Sequence, residues 1–177
     1  MSSLIVCFSH TGHTKIISEH ITERLGIDRV MIMPRLPYPL SDAELDRRVL
    51  AEVRGGLLPA LTDPDVDISG YGYVFLGYPI WCGEPAPPIL TFINRNVWFG
   101  KTVIPFMTCG GTYGRGLSEI KLLMKNRGAS VTNELILKVP DNMTNDDEAC
   151  NLAVEKTDRW IDEIIRRFGT NVTKRKP

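Results

Sequence analysis

Six consecutive residues near the start of the chain, Ser9, His10, Thr11, Gly12, His13 and Thr14, bring together three hydroxyls, two imidazoles and one glycine. They follow a short apolar run, Leu4 to Ser9, and lead into a pattern in which Ile17, Ile21 and Leu25 recur on one helical face. A turn from a strand into a helix start carries unpaired backbone N–H groups at the positive end of the helix dipole. Hydroxyls of Ser9, Thr11 and Thr14 can donate to an anion held there, and Gly12 lets the backbone come close to it. The chemistry expected of this turn is therefore the binding of a phosphate or a similar anion.

Two better-known phosphate loops are excluded. A dinucleotide fingerprint needs three glycines, and this turn has one. Gly100-Lys101-Thr102 is not a P-loop, because Arg95 stands where the upstream glycine belongs and a strand follows. His10 and His13 have no carboxylate or cysteine at ligand spacing within the segment, so no metal is expected.

The turn has to be positioned by the rest of the chain, whose order is strand, helix, strand throughout. After strand 1, a helix from about His13 to Leu25 ends at Gly26, and residues 28–33 form strand 2. Residues 34–70 are least regular: a proline-fixed crossing, then a surface helix with Ser41 and Glu44 as a capping box and Gly55-Gly56 as its stop. Residues 73–79 make an apolar central strand 3, and 85–96 a helix with prolines in its first turn. Residues 101–108 are strand 4, 115–128 a helix closed by Gly128, and 130–139 strand 5. Asn145 and Glu148 are expected to cap a last helix to Phe168 that turns Leu152, Trp160, Ile161, Ile164 and Ile165 to the sheet. The expected fold class is α/β, a three-layer α/β/α sandwich with a five-stranded parallel sheet. One domain spans 1–170, and 171–177 is a basic tail, expected to be flexible.

In such sheets ligands sit beyond the carboxyl ends of the strands. That rule selects residues 9–14, 78–84 and 108–116, all rich in small, hydroxyl or aromatic side chains. Tyr78, at a strand end, and Cys7, inside strand 1, read as core. Cys82 and Cys109 fall in adjacent loops; they read as small neutral residues, with a redox-active pair as the alternative.

The turn "SHTGHT" resembles the phosphate loop of the flavodoxin family, which holds the 5′-phosphate of FMN. "GYPIWCGEPAP" after strand 3 and "TCGGTYGRG" after strand 4 are similar to that family's two flavin-flanking loops, so the resemblance covers most of the chain. It implies the flavodoxin-like strand order 2-1-3-4-5 and FMN as a noncovalent cofactor. It also implies that Ser9, His10, Thr11, Gly12, His13 and Thr14 surround the phosphate. Pro79, Ile80, Trp81, Cys82 and Gly83 would line one side of the isoalloxazine ring, with Trp81 stacking on it or edging it. Cys109, Gly110, Gly111, Thr112, Tyr113 and Gly114 would close over the other side. The resemblance further implies that the Cys82–Gly83 peptide flips so that its carbonyl accepts the flavin N5 hydrogen after one-electron reduction, a motion that glycine makes cheap.

Bulk properties narrow the function classes. The 177 residues are 43% hydrophobic and 24% charged, with formal net charge +0. No excess charge points to nucleic acid or a membrane surface, and no apolar run approaches the ~20 residues of a bilayer span. Without a basic leader or a CxxC spacing among Cys7, Cys82, Cys109 and Cys150, the cytoplasm is the expected location. The Asn142 and Asn171 sequons then carry no meaning. Electron carriers of the family are typically acidic, whereas this chain is neutral and has two histidines in its phosphate turn. The expectation is thus an oxidoreductase, an FMN-dependent reductase taking electrons from NAD(P)H to a quinone or similar acceptor. The alternatives are a carrier that serves protein partners and a flavin-free binding domain. No catalytic side chain is expected, since the flavin carries the redox chemistry. Residues 34–70 leave a partner surface or a dimer contact open.

Overall fold

The long apolar strands bury both of their faces. β1 (Ser2–Cys7), β3 (Tyr71–Trp81) and β5 (Thr102–Cys109) alternate between two cores. Leu4, Val6, Val74, Leu76, Tyr78, Val103 and Met107 face one core, and Ile5, Cys7, Phe75, Ile104 and Phe106 the other. Only a sheet covered on both sides accommodates that pattern. The computed structural model describes residues 2–63, 66–140, 142–144 and 147–173.

β2 (Asp28–Met31), β1, β3 and β5 are parallel neighbours in that order. Beyond β4 (Glu84–Pro85), which hairpins antiparallel onto β3, come β6 (Ser130–Val131) and β7 (Leu135–Lys138). Both pair in parallel with β5, so together they are one interrupted edge strand. Counted so, with the hairpin set aside, the sheet has the expected order 2-1-3-4-5. The interruption centres on Asn133 at φ 50, a left-handed conformation that a short amide side chain tolerates. Trp160 Nε1 donates to the Asn133 carbonyl at 2.5 Å and Arg167 to its side-chain oxygen at 2.8 Å, so the last helix pins the break.

Helices α1 (His13–Leu25) and α5 (Glu148–Phe168) cover one face, with Ile17, Ile21, Trp160, Ile161 and Ile164 buried. Helices α2 (Asp42–Gly55), α3 (Pro87–Arg95) and α4 (Gly116–Asn126) cover the other through Val49, Phe92 and Ile120. The layers are therefore α/β/α, as expected.

Three local expectations change. Leu152 is 48% exposed; the stripe that meets the sheet is Cys150, Ala153, Thr157, Trp160, Ile161 and Ile164, whose three- and four-residue steps leave Leu152 outside. Asn145 lies outside the described residues, and the cap of α5 is Asp147, whose carboxylate accepts from the Cys150 amide at 2.9 Å. Ser41 is the N-cap of α2 without a side-chain bond: its own carbonyl takes the Glu44 and Leu45 amides, and both box side chains are exposed to water. At the other end, Val172 is fully buried within a 3-10 turn, Gly169–Val172, while the basic residues 174–177 lie outside the described residues.

Gly77 pairs with Phe106 across β3 and β5, and a Cβ there would run into the Phe106 ring. Gly77→Ala should destabilise the fold by about 1–3 kcal/mol through overpacking. Urea unfolding is expected to show a lower midpoint with an unchanged slope.

Candidate functional site

Parallel pairing sets the loops after β1, β3 and β5 side by side. They surround a cavity of about 510 Å³. The first loop contributes Ser9, His10, Thr11, His13 and Thr14, the second Pro79, Ile80, Trp81 and Cys82, and the third Cys109 and Gly110. Of the expected site residues, Gly12, Gly83, Gly111, Thr112, Tyr113 and Gly114 do not line it. Thr112 and Tyr113 stand exposed beyond the rim.

At the head of α1, Gly12 is the N-cap with φ 102, a conformation that disfavours any side chain. No side chain caps this helix end and its first turn has no acidic residue, so its N–H groups are left for an anion. Ser9 Oγ is buried and, among the described residues, is the one buried side-chain oxygen or nitrogen without a hydrogen-bond partner. A buried hydroxyl of this kind is placed to hydrogen-bond a group held in the cavity. Thr14 turns inward instead, its hydroxyl 2.8 Å from that of Thr108 on β5. Thr11 Oγ1 lies 3.3 Å from His13 Nδ1, and His10 donates through Nε2 to the Pro39 carbonyl at 3.0 Å.

Trp81 stands at the wall, edge-on to Phe8 (5.4 Å) and His10 (5.5 Å) and tilted against Tyr38 (4.8 Å). Cys82 and Gly83 follow it as the two central residues of the β3–β4 hairpin, with φ 50 and φ 77. Two positive φ values are the mark of a type I′ turn. Inverting the Cys82–Gly83 peptide would keep Cys82 at positive φ with an extended ψ, a region nearly confined to glycine. Gly83 is thus free to flip, and Cys82 resists.

The second and third loops are tied together. The Arg115 amide donates to the Gly83 carbonyl at 2.7 Å, and a Cβ on Gly114 would stand 2.5 Å from that oxygen. The Arg115 guanidinium holds Glu84 through Nε and Nη2, at 2.9 and 2.5 Å.

Sequence reasoning missed Leu40, Asp42, Leu45 and Asp46 on the crossing and α2, and Val139 at a strand end, all of which line the cavity; Thr108, which opens the third selected loop but was not named as a site residue, lines it too. The signal for Thr108 was its place at the carboxyl end of a parallel strand. For the first four, the hydroxyl- and glycine-based search had no signal, since a helix with exposed acids reads as a solvated surface. Asp46 instead accepts a hydrogen bond from Cys82 Sγ at 3.3 Å.

Cys82 and Cys109 do not form a pair: both are free, the Cys82 thiol faces Asp46, and the Cys109 thiol, its pKa raised by burial, turns to the Gly111 carbonyl. Desolvation against α2 and then the Asp46 carboxylate push the Cys82 thiol up to about 11. At pH 8, iodoacetamide should modify Cys82 in the folded protein roughly 100-fold more slowly than in the unfolded chain, given the smaller thiolate fraction. Asp46→Asn removes the negative charge, lowers the thiol pKa and should speed the reaction; mass spectrometry of the labelled peptide reads both.

No curated protein matches the sequence. Among solved structures, a candidate flavoprotein from Bacteroides eggerthii is similar at 27% identity over 92% of this chain and 97% of its own, with a TM-score of 0.72. A flavoprotein from Lactobacillus acidophilus in complex with FMN shares the fold at 20% identity, covering 90% of this chain and 98% of its own, with a TM-score of 0.67. The flavodoxin family model matches residues 2–161, nearly the whole chain. With an uncapped helix start and three loops around one cavity, the chain belongs to the flavodoxin family.

Proposed function

We propose that this protein binds FMN noncovalently in the 510 Å³ cavity and is an oxidoreductase that passes electrons through it, from NAD(P)H to a quinone or similar small acceptor, in the cytoplasm. The observation that carries the cofactor is Ser9 Oγ, buried and unpartnered beside an uncapped helix start. The FMN complex of the L. acidophilus protein, alike in fold, supports the same cofactor here. Free thiols at Cys7, Cys82 and Cys109 suit a reducing compartment, and no helix among the described residues is long and apolar enough to cross a membrane.

Bound FMN would supply the redox chemistry, taking electrons as a pair and releasing them singly or together. The chain's own residues do the holding. Ser9 donates its hydroxyl to the phosphate, the first α1 amides add further donors, and the bare Gly12 allows close approach. Trp81 and Cys82 would form one side of the ring slot, and Cys109 and Gly110 the other, with the two loops tied together through the Arg115 amide on the Gly83 carbonyl. Asp42 and Asp46 bring negative charge to the α2 side of the cavity, which opposes charge build-up on a reduced flavin.

One observation favours the carrier reading. Of the eleven exposed large hydrophobic side chains among the described residues, six (Met33, Leu36, Leu40, Leu50, Leu57 and Leu58) fall within residues 33–58. Leu40 is among them and lines the cavity, so this surface suits a docked protein partner.

FMN titration of the flavin-free protein, followed by fluorescence, tests the cofactor. Ser9→Ala should weaken binding roughly 10- to 100-fold, the worth of a hydrogen bond to a charged group. Replacing both His10 and His13 with Gln should also weaken binding, because both imidazoles line the cavity. A chain without affinity for FMN would be the flavin-free domain. For the holoprotein, NAD(P)H oxidation that requires a small quinone supports the enzyme; no oxidation with either nucleotide supports the carrier.

A further inference from the structure

We infer that Trp81, Tyr38 and Glu52 form a one-electron relay that carries an oxidising equivalent from the cofactor cavity to a buried tyrosine. Only the flavin-driven form of this relay rests on the proposed function; its steps belong to the protein.

Trp81 lines the cavity, and its ring centroid is 4.8 Å from that of Tyr38. Tyr38 is 5% exposed and donates its hydroxyl to Glu52 Oε2 at 2.5 Å. Arg48 fixes the acceptor, donating through Nε to Glu52 Oε1 at 2.9 Å, and places its guanidinium 3.8 Å from the centre of the Tyr38 ring. Glu52 also lines a second cavity, of about 400 Å³, on the α2–α3–α4 side, which gives its proton a way to water.

These contacts decide the chemistry. An oxidant in the cavity removes one electron from Trp81 and leaves an indole radical cation. Tyr38 returns one electron to Trp81, and its phenolic proton moves to Glu52 Oε2. The products are neutral Trp81, a neutral tyrosyl radical and a protonated Glu52; the oxidant has gained the one electron lost. The Arg48 cation makes electron loss without proton loss costly, because a second positive charge would form in the same desolvated place. Burial and the Glu52 carboxylate hold the phenol above its ordinary range, so the proton is present before oxidation. The other tryptophans lack this arrangement: among the described residues Trp98 meets Phe92, and Trp160 meets Phe75 and Phe106.

Pulse radiolysis tests the relay without a flavin. The azide radical oxidises tryptophan and becomes azide. The tryptophanyl absorption should then decay as the tyrosyl absorption grows, in one step independent of protein concentration and slowed in D2O. Tyr38→Phe and Trp81→Phe should each cut the tyrosyl yield by at least half, and Glu52→Gln should slow the step several-fold. An unchanged tyrosyl yield in folded Tyr38→Phe overturns the relay. Should that variant not fold, a step indifferent both to Glu52→Gln and to D2O overturns it instead. With FMN bound, the photoexcited flavin is the oxidant and takes the electron; a frozen illuminated sample should show a tyrosyl radical by electron paramagnetic resonance, absent in Tyr38→Phe. A protein that takes up no FMN fails the proposed function, while the azide experiment still decides the relay.

Discussion

Parallel hydrogen bonding among β1, β3 and β5 is the constraint on which the rest of the molecule depends. Cys7 pairs with Gly77 and Gly77 with Phe106, so the three strands run level. Two residues further along each lie Ser9, Pro79 and Thr108, the first residues of the cavity wall. A shift of one residue in either pairing would exchange the two cores and turn Tyr78 and Met107 toward α1 and α5. Burial of both faces forbids that slip, so the core sets the level of the site. The missing side chain at Gly77 belongs to this constraint, since it leaves room for the Phe106 ring beside the central strand.

Level strands alone would leave three separate loops. Two further contacts make a cavity of them. The Arg115 amide and the close approach of Gly114 join the third loop to the hairpin, so the walls of the ring slot share one support. On the other side, His10 holds the Pro39 carbonyl, Asp46 accepts from Cys82, and Arg48 donates to the carbonyls of Leu36 and Pro37. The crossing after β2 is thereby drawn over the cavity. Its prolines read only as an irregular connection, yet the carbonyls of Pro37 and Pro39 are two of the acceptors that these donors reach.

What was legible in the sequence follows from range. Strand runs, helix faces and the stops at Gly26 and Gly56 are written in neighbouring residues, and so was the turn around Gly12. The loops after β3 and β5 were legible too, because strand order places carboxyl ends together whatever the side chains do. Asp42 and Asp46 were not, because their place depends on how α2 lies across the sheet, which contacts distant in sequence decide. The break at Asn133 was hidden for the same reason: it is held by Trp160 and Arg167, about thirty residues away. Leu152 misled because its type suggests burial while its phase on the helix denies it.

Trp81 shows how the site and the core are joined. An indole in a cofactor loop is free to swing when only its ligand holds it, and ordering it then weakens binding. Here Phe8, His10 and Tyr38 meet the ring before any ligand does. Phe8 belongs to the core, and Tyr38 is fixed in turn by Arg48 and Glu52 on α2. The platform is therefore set by packing, and its ordering cost falls on folding instead of on binding. The same packing gives the ring an aromatic neighbour with a proton acceptor behind it, which a loop tryptophan supported by aliphatic side chains would lack. One set of contacts thus fixes where a flat ligand meets the wall and gives that wall an electronic connection to the far side of α2.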